Sequence, residues 1–128
     1  MVRFLLVSAT GWVAVLVLGI TTALPYLLRS RQGTTPFRKR LWPHYWLGYG
    51  LLVLVMVHSS FVMGPAMARS DAAGIWAATL ALGLLFLQLA LGLLLQNGSP
   101  SQRQLRRLHF RSMIALAVLV VVHLWRNG

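Results

Sequence analysis

Four apolar runs, each long enough to cross a bilayer, decide what this 128-residue chain can fold into. They cover about residues 4–28, 41–63, 74–95 and 105–125, and a helix of ~20 apolar residues spans the ~30 Å hydrocarbon core. The runs are continuous rather than alternating, which argues against a membrane β-barrel. In lipid each backbone N–H and C=O must be satisfied internally, and a helix does that within one segment. The connections between runs are short. The expectation is therefore one transmembrane domain over residues 1–128, all-α, an integral membrane four-helix bundle. The first run also has the look of a signal peptide, with Arg3 ahead of it and small residues at Thr22 and Ala23. Its apolar part is longer than a signal core, so it reads as a retained helix.

Charge gives the chain a direction. Hydrophobic residues make up 58% and charged ones 10%, with twelve Lys and Arg against a single acid, Asp71. A basic excess in a soluble protein points to nucleic acid; here the bases cluster between apolar runs, so lipid, not nucleic acid, is the expected surrounding. Arg29, Arg31, Arg38, Lys39 and Arg40 lie in the first connection. Arg103, Arg106, Arg107 and Arg111 lie at the third, against Arg3, Arg69 and Arg126 on the other side. The positive-inside rule then puts the first and third connections in the cytoplasm and both termini outside, as in a bacterial inner membrane. Tyr26 and Trp42 would mark the inner interface, Trp76 and Trp125 the outer. The absence of cysteine excludes disulfides, thiolate-held zinc or iron–sulfur clusters, and covalently attached haem.

The four histidines form two pairs with one spacing: His44 and His58 in the second run, His109 and His123 in the fourth. Fourteen residues is nearly four helical turns, so both rings of a pair share a face, ~21 Å apart along the axis. Four spans make the second and fourth parallel, which levels His44 with His109 and His58 with His123. An ionisable side chain inside an apolar span is costly and marks a functional site by default. Zinc or copper needs ligands converging on one point; two levels of paired imidazoles instead suit two haems, each sandwiched between histidines. Gly48, one turn after His44, would let a flat macrocycle approach. Arg40 and Arg106, one turn before the inner histidines, and Arg126, after His123, stand where haem propionates would meet a membrane surface, or simply anchor the helix ends.

The remaining polar residues are few. Asp71 is the one candidate proton acceptor, though capping the third helix or pairing with Arg69 suits it better. Gln88, in mid-span, suits an interhelical hydrogen bond. Ser8, Gly11, Ala14, Gly19 and Ala23, with Ala77, Ala81, Gly83, Ala90 and Gly92, read as small residues for close packing, with room for a ring beside them. No residue is assigned a catalytic role.

The two H-x13-H stretches, His44–His58 and His109–His123, resemble those of di-haem b-type cytochromes, including cytochrome b of bc complexes and the ferric-reductase-like transmembrane proteins. The phrase LWPHYWLGYG is especially similar to the latter. The resemblance implies two non-covalent b-type haems with bis-histidine ligation, His44 with His109 and His58 with His123. It implies a membrane subunit carrying electrons between a quinone pool and a partner redox subunit holding haem c, an iron–sulfur cluster or similar. A self-standing oxidoreductase acting on ferric iron, superoxide or quinone is the alternative, and a non-redox structural subunit the second. Neither a nucleotide- or flavin-binding segment nor a Pro-Glu-Trp-Tyr quinol motif is present.

Overall fold

The computed structural model describes residues 2–29, 37–63, 71–98 and 101–127. The fold class is all-α, as expected: α1 (Val2–Arg29), the single turn α2 (Phe37–Arg40), α3 (Trp42–Val62), α4 (Ala72–Gln96) and α5 (Gln102–Asn127). α1, α3, α4 and α5 are each long and apolar enough to cross a membrane, the mark of an integral membrane protein. Arg31, Arg69, Ser70, Gly64-Pro65 and Ser99-Pro100 lie outside the described residues, as do the side chains of Arg3 and Arg38.

Two compact units, residues 1–61 and 62–128, divide the chain. In the first, α1 runs one turn past Pro25, to Arg29. Proline costs a helix one hydrogen bond and crowds the carbonyl four residues back, and here that loss is made good from α3, as described below. α2 and α3 are parted at Leu41. Pro43 has no N–H to continue the first turn but fits the start of the next, where an N–H needs no partner. On the inward face of α1 stand Thr10, Gly11, Ala14 and Thr21, whereas Ser8, Gly19 and Ala23 point outward.

In the second unit α4 and α5 pack as an antiparallel hairpin in one register. Asp71 meets Arg126, Gly74 meets His123 and Gln88 meets His109; each step forward along α4 is matched by an equal step back along α5. Gly74, Ala77, Ala81, Leu85, Gln88 and Leu91 form the buried stripe of α4, and Ser112 and Leu116 are buried on α5. Of the small residues expected to pack, Ala77 and Ala81 do; Gly83 and Ala90 are exposed and Gly92 has open space beside it. Helix ends follow local chemistry. Asp71 caps α4, and Gly98 takes a left-handed φ of 77° just after its last turn, the usual glycine stop.

Gly74 is where the hairpin closes most tightly. A Cβ there would run into the Asn127 amide and lie 3.1 Å from Arg126 Cβ, whereas at Gly83 it meets nothing within 4 Å. Gly74→Leu is expected to destabilise the detergent-solubilised protein by about 1–3 kcal/mol, the usual cost of overpacking. Gly83→Leu should leave the thermal midpoint unchanged within error; equal effects from the two would mean that Gly74 is not a packing contact.

Candidate histidine site

The histidines stand where the spacing predicts, each half-buried on the inward face of its helix. Leu51 is the buried residue of α3, and Leu116 is buried on α5 with Ser112. Both leucines belong to the faces expected to carry the rings. Gly48 lies one turn after His44 on the same face, half-buried.

Three of the rings are oriented through Nδ1, each by the neighbouring helix of its own unit. The His44 Nδ1–H donates to the Thr21 carbonyl at 2.9 Å, and the His123 Nδ1–H donates to the Gly74 carbonyl at 3.0 Å. A carbonyl oxygen only accepts, so each neutral ring carries its hydrogen on Nδ1 and its lone pair on Nε2. His58 reaches the same tautomer by a different route. Thr10 Oγ1 lies 2.7 Å from the Leu6 carbonyl and 3.1 Å from His58 Nδ1. A hydroxyl has one proton, and the carbonyl takes it, so the hydroxyl accepts from Nδ1–H. Gly11 completes this seat: a Cβ there would lie 3.1 Å from His58 Cε1. The ring that Gly11 makes room for is thus the imidazole itself.

His109 is fixed through its backbone. Gln88 Nε2 donates to the His109 carbonyl at 2.8 Å, and Ser112 Oγ reaches the same oxygen at 3.2 Å while donating to Leu108 O at 2.8 Å. Gln88 is buried and acts as interhelical glue. Gly74 and Gln88, which hold His123 and His109, are themselves fourteen residues apart. That matched spacing on α4 escaped the sequence reading, as did Thr10, Thr21 and Gly74 as partners.

The arginines hold helix ends within their own units. Arg40 Nη1 donates to the Leu28 carbonyl at 3.2 Å, in the last turn of α1, where carbonyls lack helical partners. Arg106 Nη2 donates to Gln102 Oε1 at 3.0 Å, one turn back on α5. Arg126 meets Asp71 at 3.0 Å. Among the described residues no three His, Cys, Asp or Glu side chains group to hold a metal ion. No protein-family model, curated protein or solved structure matches the chain.

Asp71 does the work of a helix cap. One carboxylate oxygen accepts from the Ala73 and Gly74 N–H groups at 2.7 and 3.3 Å, while its own N–H donates to Asn127 Oδ1 at 2.8 Å. The Ala73 N–H, above all, holds the carboxyl below its ordinary value, aided by the Gly74 N–H and Arg126 and opposed by partial desolvation. A lowered carboxyl stabilises the fold above its unfolded-state pKa of about 3.9, and that contribution disappears as pH falls through the folded value. Amide exchange at Ala73 and Gly74, corrected for intrinsic rates, should therefore be protected equally at pH 5 and 7 and lose protection below about pH 4. In Asp71→Ala the protection should be several-fold weaker at neutral pH and should not change between pH 5 and 3. An acid-induced loss of the same size in that variant would assign the effect to another group.

Proposed function

We propose that the chain is a di-haem cytochrome b subunit, carrying electrons across a bilayer between a quinone pool and a partner redox subunit. The observation that carries this is the shared posture of three histidines inside apolar helices: Nδ1–H engaged and the lone pair on Nε2. This is how a protein presents imidazole to a metal, with a hydrogen bond at one nitrogen fixing tautomer and ring plane for ligation by the other. A haem held by two histidines has no open coordination position and supplies one-electron transfer.

The rest is done by residues of this chain. His44 and His109 would hold the haem at one membrane face, His58 and His123 the other, at two levels ~21 Å apart by helical rise. Thr21, Thr10 and Gly74 orient three of these rings from neighbouring helices, and Gln88 fixes the backbone of the fourth. Gly48 offers close approach one turn from His44. Arg40 and Arg106, one turn before His44 and His109, and Arg126, just after His123, remain candidates for propionates. Asp71, committed to a cap and to Arg126, favours a structural role over proton transfer. The basic clusters favour a bacterial inner membrane, with the termini outside.

A reduced-minus-oxidised spectrum of the purified protein tests this directly. Low-spin b-type haem at two per chain is expected, falling to one in His58→Leu with the remaining haem spectrally unchanged. A wild-type protein that takes up no haem, or a His58→Leu variant that keeps both, would overturn it.

A further inference from the structure

We propose that Pro25 is a positioning residue for His44: having no amide hydrogen, it reserves the Thr21 carbonyl for the His44 Nδ1–H. In an α-helix the N–H of each residue bonds to the carbonyl four before it, and the partner due to Thr21 O is residue 25. That residue is proline, inside a helix that continues to Arg29. Proline withholds the hydrogen bond, and its ring crowds the same carbonyl, turning it away from the helix axis. Thr21 is 9% exposed, so the oxygen is shielded from water, and a buried carbonyl requires a donor. His44 Nδ1 supplies it from α3 at 2.9 Å. The Thr21 hydroxyl does not compete, because it donates to the Val17 carbonyl at 2.7 Å.

The second hairpin provides the contrast. His123 also donates to a backbone carbonyl, that of Gly74, but residue 78, four further on, is an alanine with an N–H inside α4. His123 therefore shares its acceptor with the helix, whereas His44 has one set aside for it. The proline thus does two things that a helix-breaking or kinking role alone would not. It removes the competing donor and so biases His44 toward Nδ1–H, and it makes the His44 hydrogen bond the stronger of the two. A stronger bond at Nδ1 makes Nε2 the better electron donor to a metal. The consequence for a haem rests on the proposed function; the tautomer does not.

The test is Pro25→Ala in the full chain, in phospholipid nanodiscs, with 15N-labelled histidine read by NMR at a pH where imidazole is neutral. Restoring the N–H at residue 25 gives Thr21 O its helical donor. A population of the Nε2–H tautomer should then appear for His44, with His58 and His123 unchanged; those two signals also report that the variant is folded. A second variant carries the α-hydroxy analogue of alanine at position 25, which has neither the pyrrolidine ring nor the N–H, and should behave as wild type. An unchanged His44 in Pro25→Ala overturns the proposal. So does an α-hydroxy variant that behaves like Pro25→Ala, since the ring and not the missing hydrogen would then be responsible. Titration with haemin gives the linked readout. Pro25→Ala should weaken one of two binding events about 10-fold, the low end for loss of a ligand's outer partner, and the α-hydroxy variant neither. If the wild-type chain binds no haemin, the proposed function fails while the tautomer result still decides the role of Pro25.

Discussion

An imidazole N–H placed inside a pair of apolar helices has to find an acceptor in protein, and almost everything polar in this chain follows from that requirement. Most polar groups in such a helix are backbone atoms already spent on the helix itself. Three solutions appear: a carbonyl released by proline at Thr21, a second lone pair at Gly74, and a threonine hydroxyl at Thr10 whose proton is already committed to Leu6. Each also binds helix to helix. The ring pinned by the bond is the ring that the packing needs, so orientation of the histidines and cohesion of each hairpin are one interaction rather than two.

Much of this is legible in the sequence because hydropathy and helical period are one-dimensional. The four spans, the shared faces of His44 with His58 and His109 with His123, the cap at Asp71 and the glue at Gln88 all follow from residue type and spacing. What was not legible needed phase. Composition groups the small residues together, and the helical period divides them: Gly11, Ala14, Ala77 and Ala81 face inward, while Ser8, Gly19, Ala23, Gly83 and Ala90 do not. α1 continues through Pro25 although proline ends most helices; His44, twenty-three residues after Thr21 in the other helix of the unit, is what makes the interruption tolerable. Two signals lie in the sequence itself. Thr21 and Pro25 stand four apart, the spacing of a lost hydrogen bond. Gly74 and Gln88 repeat the fourteen-residue interval of the histidines they meet.

The charges show the same economy. With twelve bases and one acid, almost no arginine can find a carboxylate within the chain, and the structure shows what they do instead. Arg40 closes the last turn of α1 on a carbonyl, Arg106 reaches a glutamine one turn away, and Arg126 takes the one carboxylate. The Arg126–Asp71 pair is well exposed, with side chains at 50% and 37%, so screening keeps its contribution to stability small. Its value is positional. Together with the Asn127 bond to the Asp71 N–H, it ties the start of α4 to the end of α5 at the level where Gly74 receives His123.

That tie explains why the α4–α5 register is so uniform. One hydrogen bond between antiparallel helices leaves each free to slide or rotate about the contact. Contacts at both ends of the shared face, Asp71 with Arg126 and Gln88 with the His109 carbonyl, remove the slide; glycine at position 74 removes the gap that would allow rotation. The histidine at 123 then has no choice of acceptor. Its ring plane is set by backbone geometry rather than by a side chain able to change rotamer. In the first unit His44 is held in the same way, by a carbonyl, and His58 alone depends on a rotatable hydroxyl. His58 is therefore the ring whose orientation a local change at Thr10 or Gly11 would loosen first. The difference between a carbonyl and a hydroxyl as acceptor is thus enough to give His44 and His58, on one helix, different mechanical roles.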